Sequence, residues 1–178
     1  MDKSYLHKWG FRVEDYRRSF KQLQLSDLQV KTLEEYIASF PSSGGLVLVG
    51  SPKIAQAVST RIVYELYELE KFKNRVTIID VPSFLVRSNS FSTESTEVEN
   101  KTREDITNAD LVILQEVDLA QWTSIQQTKL YTLIYERYSK RQPMIFTATS
   151  TPSDIEKRVG MSTFYRIKDL CKFLALGG

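Results

Sequence analysis

Apolar positions in this chain gather into four short unbroken runs: Leu46 to Val49, Val76 to Ile79, Leu111 to Leu114 and Met144 to Ala148. Runs of this length without polar alternation predict strands covered on both faces. Between them the period changes to that of a helix. After Ser26, an N-cap residue type, apolar side chains recur at Leu28, Leu33, Tyr36, Ile37 and Phe40 until Pro41-Ser-Ser-Gly-Gly45 stops the run. Ala55 to Phe72 places Ile62, Val63, Leu66 and Leu69 on one side with charges opposite, and Ile125 to Tyr138 predicts another helix. Strands alternating with helices predict an α/β fold of three layers, a parallel sheet flanked by helices with right-handed crossovers.

Two stretches fall outside this alternation. Residues 1–24 mix Tyr5, Trp9, Phe11, Tyr16, Arg17, Arg18 and Phe20 without a period, which predicts an arm lying against a single domain over residues 25–178. Residues 88–102 are polar and rich in Ser and Thr, which predicts an exposed loop. No internal repeat or linker divides the chain.

Composition narrows the classes. A chain of 178 residues with 42% apolar and 26% charged residues buries about 70% of its unfolded surface. No apolar run approaches the ~18 residues that span a bilayer, so no membrane partner is expected. The single cysteine, Cys171, excludes an internal disulfide and reads as a small buried apolar residue. With His7 as the one histidine, no Cys/His zinc site is expected, and no other metal site is indicated. The N-terminal residues lack the apolar core of a secretory signal, which predicts a cytoplasmic location. A net charge of +2 is too small to argue for nucleic acid by itself.

Candidate chemistry begins where the first strand ends. Gly50-Ser51-Pro52-Lys53-Ile54-Ala55-Gln56-Ala57 fits the frame of a phosphate loop, G-x-x-x-x-G-K-[ST], whose backbone N–H groups cradle phosphates while the lysine neutralises them and the hydroxyl ligates magnesium. Three of its working residues are replaced. Ala55 stands for the second glycine, Gln56 for the lysine and Ala57 for the hydroxyl. Pro52 also removes one N–H donor, leaving Lys53 as the one cation of the loop. A second strand of such an ATPase ends in two acids, one for the magnesium shell and one to polarise the attacking water. Here Leu111 to Leu114 is followed by Gln115 and Glu116, so the metal-binding acid is an amide and Glu116 a vestigial catalytic acid. Two separate motifs keep their frames and lose their metal-binding groups together.

These segments resemble the ATPase domain of bacterial DnaC/DnaI-type replicative helicase loaders, of the AAA+ superfamily, from about Tyr16 to Leu174. The likeness runs through Tyr16-Arg-Arg-Ser-Phe20, the lead into the phosphate loop, Val81-Pro-Ser-Phe-Leu85 and Ala109-Asp-Leu-Val-Ile-Leu114. It implies a P-loop NTPase (AAA+)-like fold. In the family the fourth strand ends in an asparagine that senses the γ-phosphate, and Thr149 is nearest that position. Arg166, in Tyr165-Arg-Ile-Lys168, matches an arginine associated with nucleotide contact, and Arg158 is nearest a trans-acting arginine finger. The family carries a separate N-terminal helicase-binding domain before its ATPase domain, whereas the likeness here begins at about Tyr16, so partner docking is expected to use the AAA+-like body or the first ~20 residues.

The resemblance therefore implies a degenerate AAA+ module that acts in DNA replication by binding a replicative helicase or a helicase-loader protein without hydrolysing ATP. No cofactor is required on this reading, and weak binding of ATP or ADP is compatible with it. Trp9 and Phe11 are candidate partner anchors. Two alternatives stand beside it. One is a slow ATPase using Lys53 and Glu116. The other is an accessory module binding single-stranded DNA through Lys71, Lys73 and Arg75 or through Lys140 and Arg141.

Overall fold

The computed structural model describes residues 18–72, 75–87, 93–119 and 122–177. A 3-10 turn at Lys21–Leu23 leads into α1, Asp27–Ser39, where Ser26 and Gln29 form a capping box that satisfies donors at both positions. The chain then alternates through β1, Gly45–Val49; α2, Pro52–Glu68; and β2, Val76–Asp80. It continues through α3, Val81–Arg87; α4, Thr93–Asn108; β3, Leu111–Gln115; and α5, Ser124–Ser139. It closes with β4, Met144–Ala148; α6, Pro152–Val159; α7, Met161–Leu170; and β5, Cys171–Ala175.

The five strands form one sheet in the order β2-β3-β4-β1-β5, and every pairing is parallel. The four expected strands are adjacent in it. Pleating sends alternate side chains to opposite faces. Leu46 and Leu48 of β1 enter one core with Leu33 and Ile37 of α1 and Val58, Ile62 and Leu66 of α2. Val47 enters the other with Leu130 and Ile134 of α5 and Phe164 and Ile167 of α7. Phe20 and Leu23, from the end of the expected arm, are buried in the first of these cores.

Three expectations need correction. Of the expected loop over 88–102, residues 93–102 belong to α4, and residues 88–92 lie outside the described residues. That helix is held from outside its own weakly apolar sequence, by Arg103 on Glu136, Lys129 on Glu99 and Arg75 on Asp105, with Ile106 as its buried contact. Cys171 to Ala175 forms a fifth strand at the sheet edge, which the apolar spacing of Leu170, Cys171, Phe173 and Leu174 concealed. The third concerns α2, which begins at Pro52 and not near Ala55.

Candidate functional site

The last of these differences reshapes the phosphate-loop region. With β1 ending at Val49 and α2 starting at Pro52, Gly50 and Ser51 are the whole connection. Proline suits the first helical position because its fixed φ matches the helix and its missing N–H would be unpaired there. The Ala55 N–H already donates to the Ser51 carbonyl at 3.0 Å. Residues 53 to 57, matched by sequence to the arch of a phosphate loop, therefore occupy the first turns of α2. A phosphate nest needs non-helical backbone whose N–H groups converge. From Ala55 onward those groups are committed to the helix.

The space above Gly50 is also taken. Its N–H donates to Ala148 O at 2.9 Å, and Leu176 N–H donates to Val49 O at 2.7 Å. A Cβ at Gly50 would come within 3.0 Å of Leu176 Cβ and 3.1 Å of Ile54 Cγ2. Ala55 and Ala57 are buried in the core beneath α2, whereas Lys53 and Gln56 are exposed. Lys53 lines an open cavity of about 290 Å³ with Arg18, Gln22, Gln24 and Ser51. The first turns of α2 thus carry Ala55, Gln56 and Ala57 where a phosphate loop carries a glycine, a lysine and a metal-binding hydroxyl.

Across the sheet, Gln115 stands at the end of β3 in register with Asp80 of β2. Glu116 then takes a left-handed conformation, φ 58°. Its backbone N–H donates to Thr147 Oγ1 at 3.0 Å, fastening the end of β3 to β4. Partial burial, together with the carboxylates of Asp80 and Asp118, pushes the Glu116 carboxyl above the usual range. Asp118, which the sequence reading passed over, is 1% exposed. Its Oδ2 accepts from Thr149 N at 2.9 Å, Thr149 Oγ1 at 3.0 Å and Ser150 N at 2.6 Å. The Thr149 hydroxyl, at the sensing position, is thus tied to the protein's own carboxylate. Asp118 left one legible signal, an acid two residues past Glu116 in an otherwise apolar stretch.

The fold brings Gly50, Ser51, Gln115, Glu116 and Thr149 to the carboxyl ends of β1, β3 and β4, where ligands of open parallel sheets bind. It does not bring Arg166 there. Arg166 Nη1 donates to Ser162 O at 2.7 Å, and its guanidinium lies over Tyr131, Tyr135 and Tyr138 of α5. Arg158 is half-buried on α6, its carbonyl accepting from Gln127 Nε2 at 2.8 Å. Of the proposed basic clusters, Arg75 pairs with Asp105 at 2.9 Å and Arg141 with Asp169 at 3.0 Å. Lys73, Trp9 and Phe11 lie outside the described residues. Among the described residues no group of three or more His, Cys, Asp or Glu side chains is placed to hold a metal, and no helix is long and apolar enough to cross a membrane.

A parallel sheet of this strand order, with the site residues at its carboxyl edge, has an AAA+ P-loop NTPase-like fold. Solved structures agree. The chain is similar to the DnaC helicase loader at 17% identity and TM-score 0.73, covering 99% of this chain and 100% of that one. It is similar to DnaI at 17% identity and TM-score 0.73, covering 94% and 95%. A putative primosome component from Streptococcus pyogenes serotype M3 matches at 18% identity and TM-score 0.67, covering 100% and 90%. The replication initiator DnaA bound to AMPPCP and single-stranded DNA matches at 13% identity and TM-score 0.64, with 51% of that chain covered. No protein-family profile matches the sequence, and no curated protein matches it.

Proposed function

We propose that this protein is a helicase-loader-like AAA+ module of DNA replication that does not hydrolyse ATP and acts by binding a replicative helicase or a loader protein. The observation that carries this reading is the match to the DnaC helicase loader along the full length of both chains. The start of α2 at Pro52 supports the loss of hydrolysis, because phosphoryl transfer depends on a lysine and magnesium held against the γ-phosphate. Weak nucleotide binding is compatible with the reading, since Arg18 and Lys53 stand near the positive end of α2. The slow-ATPase alternative loses support where Thr149 is tied to Asp118 and Gly50 is covered by Leu176.

Calorimetry of the purified protein against the host's replicative helicase and loader, with and without nucleotide, tests the proposal. Nucleotide-independent binding to either supports it. Absence of binding to both, or a magnesium-dependent turnover abolished by Glu116→Gln, overturns it.

A further inference from the structure

The two edge strands of the sheet are finished differently. At β5 the Ala175 carbonyl accepts from Gln29 Nε2 of α1. At the other end of the strand order β2 pairs with β3 alone. Asp110 N–H donates to Arg75 O at 2.8 Å, so the main-chain groups of Arg75 face β3. That direction alternates from residue to residue along a strand, so Thr77 and Ile79 face β3 as well, while the N–H and C=O groups of Val76, Ile78 and Asp80 point outward. Such a row is a template for one more strand.

A groove of about 320 Å³ follows this edge, bounded by consecutive residues 77–80 of β2 and, opposite them, by Phe84, Arg87, Lys101 and Asp105 of α3 and α4. Thr77 Oγ1 donates to Asp105 O at 3.1 Å, which fixes α4 against β2. The acids of the groove are already held: Asp80 Oδ1 accepts from Ser83 N at 2.8 Å, and Asp105 pairs with Arg75 at 2.9 Å. Glu97 and Glu104, exposed on α4, do not line it. Arg87 Nε donates to Ser83 O at 3.4 Å. Arg87 and Lys101 are exposed, and among the described residues neither takes part in an ion pair. On the opposite face of the sheet Ile78 and Phe72 are half-buried, packed against the first core. A strand added here would therefore meet cations on one side and apolar surface on the other.

We propose that the β2 edge takes up an extended segment of a partner protein as a sixth strand, a segment in which acidic side chains alternate with apolar ones. Its main chain pairs with Ile78 and Asp80, its carboxylates meet Arg87 and Lys101 on the α4 side, and its apolar side chains cover Ile78 and Phe72 on the other. Main-chain pairing supplies the affinity and the alternation supplies the specificity. Because α4 is already fastened to β2, little of the groove has to be ordered on binding. A second copy of this chain is a poorer occupant. Pairing β2 with β2 about a two-fold axis sets the same face of both sheets on one side, where Arg87 and Lys101 of one copy approach those of the other. Strands β3 and β4 separate this edge from β1 and Gly50, and the proposal does not rest on the helicase or loader reading.

Fluorescence anisotropy of the full chain with a labelled heptapeptide of alternating Val and Glu tests it, beside a control peptide of alternating Val and Lys. At low salt the Glu peptide binds and the Lys peptide does not. Arg87→Glu and Lys101→Glu each weaken binding by about threefold or more, and the double variant reverses the preference. Ile78→Pro removes one outward N–H and leaves the ladder to β3 in place, so it folds and weakens binding by about tenfold. Hydrogen exchange read by NMR slows at the Ile78 and Asp80 amides when the Glu peptide is bound. That measurement uses the unaltered chain and does not depend on how any variant folds. No binding of the Glu peptide at low salt, equal binding of the two peptides, or unchanged exchange at Ile78 and Asp80 in the bound state overturns the proposal. A dimer of the free protein that Ile78→Pro dissolves assigns the edge to a second copy and likewise overturns it.

Discussion

Arg137 is fully buried, and its hydrogen bonds run to carbonyls: Nη1 donates to Ile106 O and Ala109 O, and Nη2 to Asp110 O and Pro143 O. One guanidinium thus joins the end of α4 and the start of β3 to the turn before β4, a task that a lysine's single ammonium cannot share among four acceptors. Burial lowers its pKa to about 10, which still leaves it charged at neutral pH. Arg137→Met would keep the volume and orphan the carbonyls, with an expected cost of about 3–5 kcal/mol in urea unfolding; a loss below about 1 kcal/mol would mean that water replaces the guanidinium. Glu116 makes the opposite case, a carboxylate the fold disfavours. Its folded pKa lies above that of the unfolded chain, so between the two values the native state holds the extra proton and stability falls as pH rises. Above that window the penalty is fully present. Glu116→Gln is therefore expected to raise the melting temperature at pH 7, with the gain shrinking as pH falls from the raised folded value to the ordinary carboxylate value and absent below both. A gain independent of pH would assign the effect to packing instead.

Helix α2 bears on whether the chemistry of a phosphate loop could be introduced here by side chains alone. If only side chains were missing, Ala55→Gly with Gln56→Lys and Ala57→Ser would restore a working site. The backbone argues otherwise, because these positions are helical and the connection from β1 is two residues long. The triple variant is expected to stay at background in a phosphate-release assay, and to lose about 1 kcal/mol of stability from glycine in the first turns of the helix. Magnesium-dependent turnover would show that the loop reforms. This distinction was not legible in the sequence, where the octapeptide keeps the length of a phosphate loop; Pro52 after Ser51 was the available sign, since proline favours the first helical position. The four central strands were legible because burial on both faces leaves unbroken apolar runs such as Leu111 to Leu114. Strand β5 was not, since an edge strand mixes Lys172 with apolar residues and gains its identity from pairing with β1. Nor was α4, whose ion pairs with α5 join residues about 30 positions apart that no local window contains. The surroundings of Arg166, matched by sequence to an arginine associated with nucleotide contact, were not legible either, because Tyr131, Tyr135 and Tyr138 beneath it lie about 30 residues away in sequence.

At the scale of the whole molecule, the fold matches the DnaC helicase loader from end to end while the carboxyl edge of the sheet is closed over its own residues. In an AAA+ protein whose phosphate loop works, nucleotide can shift the body between states by its difference in affinity for them. Here Leu176 rests on Gly50, and Gln29 of α1 donates to the Ala175 carbonyl just before it. The C-terminal strand, the first helix and the β1 turn are thereby joined without a ligand, so a nucleotide that binds weakly has little free energy with which to move them. The expected consequence is a partner affinity that stays within about twofold when ATP, ADP or neither is present. Calorimetry against the helicase and the loader reads this directly. A change of tenfold or more on adding ATP would mean that nucleotide reaches a site coupled to the interface, and the closed edge would then have to open in solution. The same titration with Trp9→Ala locates the contact. If Trp9 is an anchor, truncation should weaken binding by about 2 kcal/mol or more, roughly thirtyfold, as expected for an interface hot spot. Unchanged affinity would move the contact from the N-terminal arm onto the α/β body.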